Sequence, residues 1–277
     1  MVSHNLSSYL SLTILTHVLL ALAPLVSSDM LWQDCVSGWN YTANSTYQSN
    51  LKLLSTTLPK KATTSPSQLF ATDTAGAIPD TVYALALCRG DTNASACSAC
   101  IANAFRDAQQ VCAYVMDVTV YYDPCNLRFS NQNFLTSIDN TKQLIKGNGE
   151  NVTSPAAAFD AAVGVLLSAV VDYAVLNSSV RFGTGVEDFD TNNPSIYAMA
   201  QCTPDLSPDE CRACLDQIVK VQTKFFGGKQ GGRIVGLRCN YRFELYPLFS
   251  GSPLLHLSAP APAPVTLSVD RGQFQDF

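Results

Sequence analysis

The chain has 277 residues, of which 47% are apolar, 9% aromatic and 14% charged. That is enough apolar material for one large core or two of domain size, and it excludes disorder throughout. The net charge of −5 and pI near 5.1 provide no basic face for nucleic acid, and the only histidines, His4, His17 and His256, leave none between 18 and 255. Ser-His-Asp, Cys-His and His-ligated zinc chemistry are therefore not expected in the folded body.

Residues 1–28 contain no Lys, Arg, Asp or Glu, and 10–25 are largely apolar, which reads as a signal peptide cleaved after Ser28. Five N-x-[ST] sequons follow, at Asn40, Asn44, Asn93, Asn151 and Asn177, the expected glycosylation sites of a secreted chain. A helix is predicted over 47–58, where Leu51, Leu54 and Leu58 share a face, and another over 96–111, carrying Cys100, Ala104 and Phe105 at helical spacing. Strands are predicted over 115–122 and 127–129. The polar stretch 136–150 reads as a linker between domains at 29–135 and 151–250. In the second domain, helices are predicted over 155–176 and 208–224, and strands over 233–237 and 241–246. The first of these helices is the most apolar run after the leader, but Asp160 and Asp172 interrupt it, leaving too short an uncharged stretch to span a bilayer. Residues 251–277, with Ala-Pro repeats from 259, read as a disordered tail. No membrane span is expected, and the class is α+β.

The cysteines repeat. Cys88, Cys97 and Cys100 form C-x8-C-x2-C, Cys202, Cys211 and Cys214 form it again 114 residues later, and the same offset carries Cys125 to Cys239. Tyr83-Ala84 maps to Tyr197-Ala198, Ala99 to Ala213, and Asn126-x-Arg128-Phe129 to Asn240-x-Arg242-Phe243, so the chain holds two homologous units. Cys35 and Cys112 have no counterparts, the latter falling on Phe226, and their joint absence suggests a Cys35–Cys112 bond. Three connectivities then remain for the other four cysteines of the first repeat. Local closure, Cys88–Cys97 with Cys100–Cys125, repeats as Cys202–Cys211 with Cys214–Cys239 and consumes all ten cysteines. A four-thiolate zinc site is the alternative, but each repeat has only one short-spaced pair and secretion favours disulfides, so neither metal nor other cofactor is expected.

The doubled C-x8-C-x2-C element, with Tyr197-Ala198-x-x-Gln201-Cys202-Thr203-x-Asp205-Leu206-Ser207-x-x-x-Cys211-x-x-Cys214 and Gly228-Lys229-Gln230-Gly231-Gly232-Arg233, resembles plant cysteine-rich repeat proteins with ginkbilobin-2-homologous domains (domain of unknown function 26). The resemblance covers about residues 30–250. It implies two disulfide-stapled domains, each a roughly five-stranded antiparallel sheet with two helices, and the local pairing just described. Receptor-like kinases, plasmodesma-located proteins and soluble secretory proteins share this tandem. With no span or kinase after Ser250, the chain looks like the soluble group, a truncated receptor ectodomain being the alternative. The resemblance further implies a non-enzymatic recognition protein of the apoplast, in defence or stress signalling, whose partner is a glycan or a receptor ectodomain.

The family's single-domain seed relative binds mannose through an Asn after the first cysteine, an Arg seven residues after the fifth and a Glu five after the last, a set rich in donors and acceptors for sugar hydroxyls. Repeat one has Val36, Thr119 and Ser130 there. Repeat two has Arg233 and Glu244, with Asn151 the nearest upstream Asn. The simpler reading of the last pair is a cross-strand ion pair. Trp32 and Trp39 could stack on a sugar or belong to the core. Asp188 and Asp190 are close enough in sequence for a glycosidase carboxylate pair, but such pairs are common on loops, and no enzyme is expected.

Overall fold

The computed structural model describes residues 29–64, 68–191, 193 and 195–258. The expected signal peptide and the tail from 259 lie outside the described residues. Repeat one comprises β1 (Met30–Cys35), α1 (Thr46–Thr63), β2 (Phe70–Ala75), β3 (Val82–Cys88), α2 (Ala94–Val111), β4 (Val118–Tyr122) and β5 (Cys125–Ser130). Its strands form an antiparallel sheet in the order β1-β4-β5-β3-β2. Repeat two comprises β6 (Leu144–Gly147), α3 (Ala156–Leu176), β7 (Phe182–Asp188), β8 (Ser195–Cys202), α4 (Pro208–Val219), α5 (Gln222–Phe226), β9 (Gly232–Val235), β10 (Cys239–Glu244) and β11 (Leu255–Leu257). The α+β class stands, in two sheets each backed by helices.

The second sheet has six strands rather than five, in the order β11-β7-β8-β10-β9-β6. β6 lies in the expected linker and pairs with β9, and β11 lies in the expected tail and runs parallel to β7. The helix expected over 208–224 is two helices, α4 and α5, with β-branched Ile218, Val219 and Val221 around the break.

Local chemistry accounts for the helix ends. Ser45 and Asn93 accept hydrogen bonds from the backbone N–H groups of Gln48 and Ala96, and Ser207 forms a reciprocal capping box with Glu210 ahead of Pro208. α3 has no side-chain cap. Burial holds it instead: Phe159, Val163, Leu166 and Val170 are fully buried, and the helix packs on β7, β8 and α4. It approaches β7 so closely that a Cβ on Gly183 would sit 2.6 Å from the Val170 carbonyl oxygen. Among the described residues α3 is the one helix long and apolar enough to cross a membrane, and half of that stretch is buried.

The disulfides are Cys35–Cys112, Cys88–Cys97, Cys100–Cys125, Cys202–Cys211 and Cys214–Cys239. No cysteine is free, so no thiolate remains for zinc. The strand registers show what replaces the third bond in repeat two. Cys35 faces Val118 on β4, and Gly147 faces Gly232 on β9, so Gly147 takes the place of Cys35 while Phe226 takes that of Cys112. The Phe226 ring is 1% exposed. A Cβ on Gly232 would come within 2.5 Å of it and one on Gly147 within 3.1 Å. An aromatic ring seated on two glycines occupies the position that a covalent bond holds in repeat one.

Candidate functional site

The faces of the two sheets that carry no helices turn toward each other, and the repeated Asn-x-Arg-Phe motif marks them. Side chains alternate along a strand, so Phe129 and Phe243 enter the two cores while Arg128 and Arg242 face outward. Arg128 forks onto Asp117 at 3.1 and 3.0 Å and lies 4.3 Å from the Phe134 ring centre. Arg242 donates to Glu244 Oε1 at 3.0 Å, to the Tyr246 hydroxyl at 2.6 Å and, across the seam, to Asp123 Oδ1 at 3.1 Å.

Asp123, in the turn between β4 and β5, is the electrostatic centre of the seam. Its Oδ1 also accepts from Arg233 Nη1 at 3.0 Å, and its Oδ2 accepts from Arg89 Nη1 at 2.7 Å. One carboxylate of repeat one thus holds one guanidinium of its own repeat and two of the other. Burial, then the neighbouring charge of Arg242, pulls the Arg233 pKa below the ordinary arginine value. Burial acts the same way on Arg89, but the hydrogen bonds and charges of Asp91 and Asp123 outweigh it. Both remain cations at any physiological pH.

The rest of the seam is also tied down. Gln201 donates to the Cys88 carbonyl at 3.0 Å, and Ser250 N–H donates to Asp91 at 2.7 Å. Arg238, 1% exposed, donates to the carbonyls of Leu135 and Ser137 and to Asp205. The Asn140 oxygen accepts from the N–H groups of Arg238 and Cys239, in a space that any Cβ on Gly236 would close. Leu85, Phe134 and Leu237 pack together beside these bonds, so the stretch expected to be a linker is docked along its length. The cavity left beneath Asp123 measures about 40 Å³. It has room for water, whereas small-molecule sites span roughly 300–1,000 Å³.

Arg233 stands opposite Arg242 across β9 and β10, and Glu244 accepts from Arg242, so the simple Arg233–Glu244 pair is replaced by a shared network. Glu244 is 6% exposed, and its Oε2 has no hydrogen-bond partner. Asn151 does not join them. It is exposed, bridges to Lys229, and its carbonyl accepts from Gln230. The position after the missing first cysteine belongs to Asn148: Val36 N–H donates to the Asp117 carbonyl in repeat one, and Asn148 N–H donates to the Gly231 carbonyl in repeat two. The β1-to-β6 offset is two residues shorter than the cysteine offset, so the cysteine offset leads from Val36 to Glu150, beside Asn151, instead of to Asn148. Gly231 lies beside Glu244, where a Cβ would be 1.9 Å from Oε2. Asn148, Arg233 and Glu244 therefore share one face in adjacent rows.

Trp32 is half-buried and stacks on Tyr121, with ring centres 5.5 Å apart, while Trp39 is 52% exposed. Asp188 meets His256 at 3.2 Å, whereas Asp190 accepts from Ser154 and from Asn193 N–H, so the two carboxylates have separate partners. All five sequon asparagines are exposed. Sequence reasoning missed Arg89, Asp123, Asn148, Gln201 and Arg238. Four of these share a signal: at the 114-residue offset, Arg89 maps to Thr203, Asp123 to Leu237, Gln201 to Leu87 and Arg238 to Pro124. These four seam residues are polar positions at which the repeats disagree, whereas Arg242 keeps its counterpart in Arg128.

The sequence profile of the family described as Salt stress response/antifungal matches the chain twice, over residues 34–132 and 146–246. Cysteine-rich receptor-like protein kinase 6 of Oryza sativa subsp. japonica is 52% identical over 79% of this chain, which spans 32% of that protein's length. The antimicrobial ginkbilobin-2-like protein of Castanea crenata is 36% identical over 87% of this chain and 97% of its own. The crystal structure of the tandem DUF26 ectodomain of the Arabidopsis thaliana cysteine-rich receptor-like protein PDLP8 shares the fold, with a TM-score of 0.65 at 23% identity over 79% of this chain and 98% of that one. With both of its repeats matched, the chain belongs to the salt stress response/antifungal (DUF26) family of cysteine-rich repeat proteins.

Proposed function

We propose that the protein is a non-catalytic recognition module of the plant apoplast, that its two repeats act as one unit, and that its partner is the ectodomain of a cell-surface receptor, in defence or stress signalling. The observation that carries this reading is the hold of Asp123 on Arg233 and Arg242. It commits the arginine of the family's sugar-binding set to docking the repeats, beside a cavity too small for a sugar. The relationship to receptor-kinase ectodomains supports a role at the cell surface. A mannose-type glycan held by Asn148, Arg233 and Glu244 is the second reading, favoured by the unpartnered Glu244 Oε2. The test is a glycan array probed with the secreted protein and with Arg233→Ala. The first reading expects no mannose-dependent binding by either and a lower melting temperature for the variant. Binding to mannose-terminated glycans that Arg233→Ala abolishes would overturn it in favour of the second.

A further inference from the structure

A second opening between the repeats, about 400 Å³, lies where Gly90 and Asp91 of repeat one approach the C-terminal end of α3, the start of β7 and residues 250–254. Its volume falls in the range of ligand sites, roughly 300–1,000 Å³. One wall is tightly fitted: a Cβ on Gly90 would sit 2.4 Å from the Phe182 ring. The charge in the cleft is already neutralised, because Asp91 accepts two bonds from Arg89 and one from Ser250 N–H. What remains is uncharged and two-sided. Val180, Phe182 and Leu254 supply apolar surface, while the hydroxyls of Tyr173, Ser179, Ser250 and Ser252 have no protein partner among the described residues. Apolar patches beside solvated hydroxyls suit a sugar ring, which has a C–H face and hydroxyl edges.

Asn177 stands on the lip of this cleft. It is the exposed C-cap of α3 and opens the sequon Asn177-Ser178-Ser179. The other sequon asparagines are placed differently: Asn40 and Asn151 lie in isolated bridges, Asn93 caps α2, and Asn44 precedes α1 in a left-handed turn. We infer that Asn177 carries an N-linked glycan whose first sugar residues lie in the cleft and bridge the two repeats. Covalent attachment supplies the sugar at the high effective concentration of a short tether, so contacts too weak to capture a free saccharide suffice. A ligand that fits only the docked repeats also stabilises docking.

The experiment uses the full chain secreted from plant cells. Glycopeptide mapping reads occupancy at each sequon, and an amidase that releases whole N-glycans from the native protein reads shielding. Hydrogen exchange over 173–184 and 250–257 is compared among wild type, enzymatically deglycosylated wild type, Asn177→Gln, Ser179→Ala, Ser179→Thr and Asn44→Gln. The expected result is an occupied Asn177 whose glycan is released about tenfold more slowly than that on Asn44. Exchange should rise several-fold whenever the Asn177 glycan is missing, while Ser179→Thr, which keeps the sequon, and Asn44→Gln behave as wild type. The inference is overturned if Asn177 is unmodified, or if its glycan is released as fast as that on Asn44 and exchange is the same with and without it. Deglycosylated wild type keeps the test intact should a variant fail to be secreted.

Discussion

Repeat one closes its β1 end with Cys35–Cys112, and repeat two closes the matching end with Phe226 seated on Gly147 and Gly232. The bond acts on the unfolded chain as well as the folded one, by closing a loop with a sequence separation of 77 residues. The ring acts only in the folded state, through burial and fit. One architecture is therefore held by two physically different devices, and the two repeats should respond differently to the same insult.

The largest effect expected is from Phe226→Ala, which empties that seat and should destabilise repeat two by about 3–5 kcal/mol, read as an early unfolding transition in denaturant. Replacing Cys35 and Cys112 together with Ser should destabilise repeat one by about 2–5 kcal/mol. Under mild reducing agent the wild type should show the same weakening, and repeat two should lack that component. Equal responses of the two repeats in this pair of experiments would remove the distinction drawn between them.

Acidity sharpens the contrast. Glu187 on β7 is 2% exposed with no partner for Oε2, and burial raises its pKa to about 7 from an ordinary 4.5. The corresponding position in repeat one is Ala75. Between those two pH values the folded state binds the proton that the unfolded state has lost, so stability falls as pH rises through the interval and levels off above 7. Allowing for solvent screening, the loss is about 1–3 kcal/mol. Denaturation at pH 5 and pH 8 should show it, and Glu187→Gln should flatten the profile. A wild-type profile already flat over this range would remove Glu187 from the account. The smallest effect is expected from Asp123→Ala. That carboxylate is 40% exposed, so its removal should cost about 1 kcal/mol. Its signature is lost coupling, with the unfolding of the two repeats separating into distinct steps by calorimetry.

Much of this contrast was legible in the sequence, because the cysteine offset locates both repeats, and the joint loss of Cys35 and Cys112 points to their bond. The 47–58 and 96–111 periodicities likewise place the cores of α1 and α2. β6 and β11 were not legible, since each is short and owes its conformation to a distant strand, β9 or β7, rather than to its own pattern. Asn148 was hidden because the two-residue shortening falls where repeat two has no cysteine to mark the register. The seam was hidden for a different reason. A search for repetition discards the positions that differ, and Arg89, Asp123, Gln201 and Arg238 are among them.

That asymmetry limits what either repeat could do with a copy of itself. Two copies of repeat two joined end to end would set Leu237 where Asp123 now stands and Thr203 where Arg89 stands, leaving Arg233 and Arg242 against an aliphatic side chain. Two copies of repeat one would offer Asp123 a threonine, Thr119, in place of Arg233, and only Arg128 in the place of Arg242. Neither unit, joined to a copy of itself, would rebuild the three-arginine grip on Asp123, so the joint belongs to the unlike pair and to neither half alone.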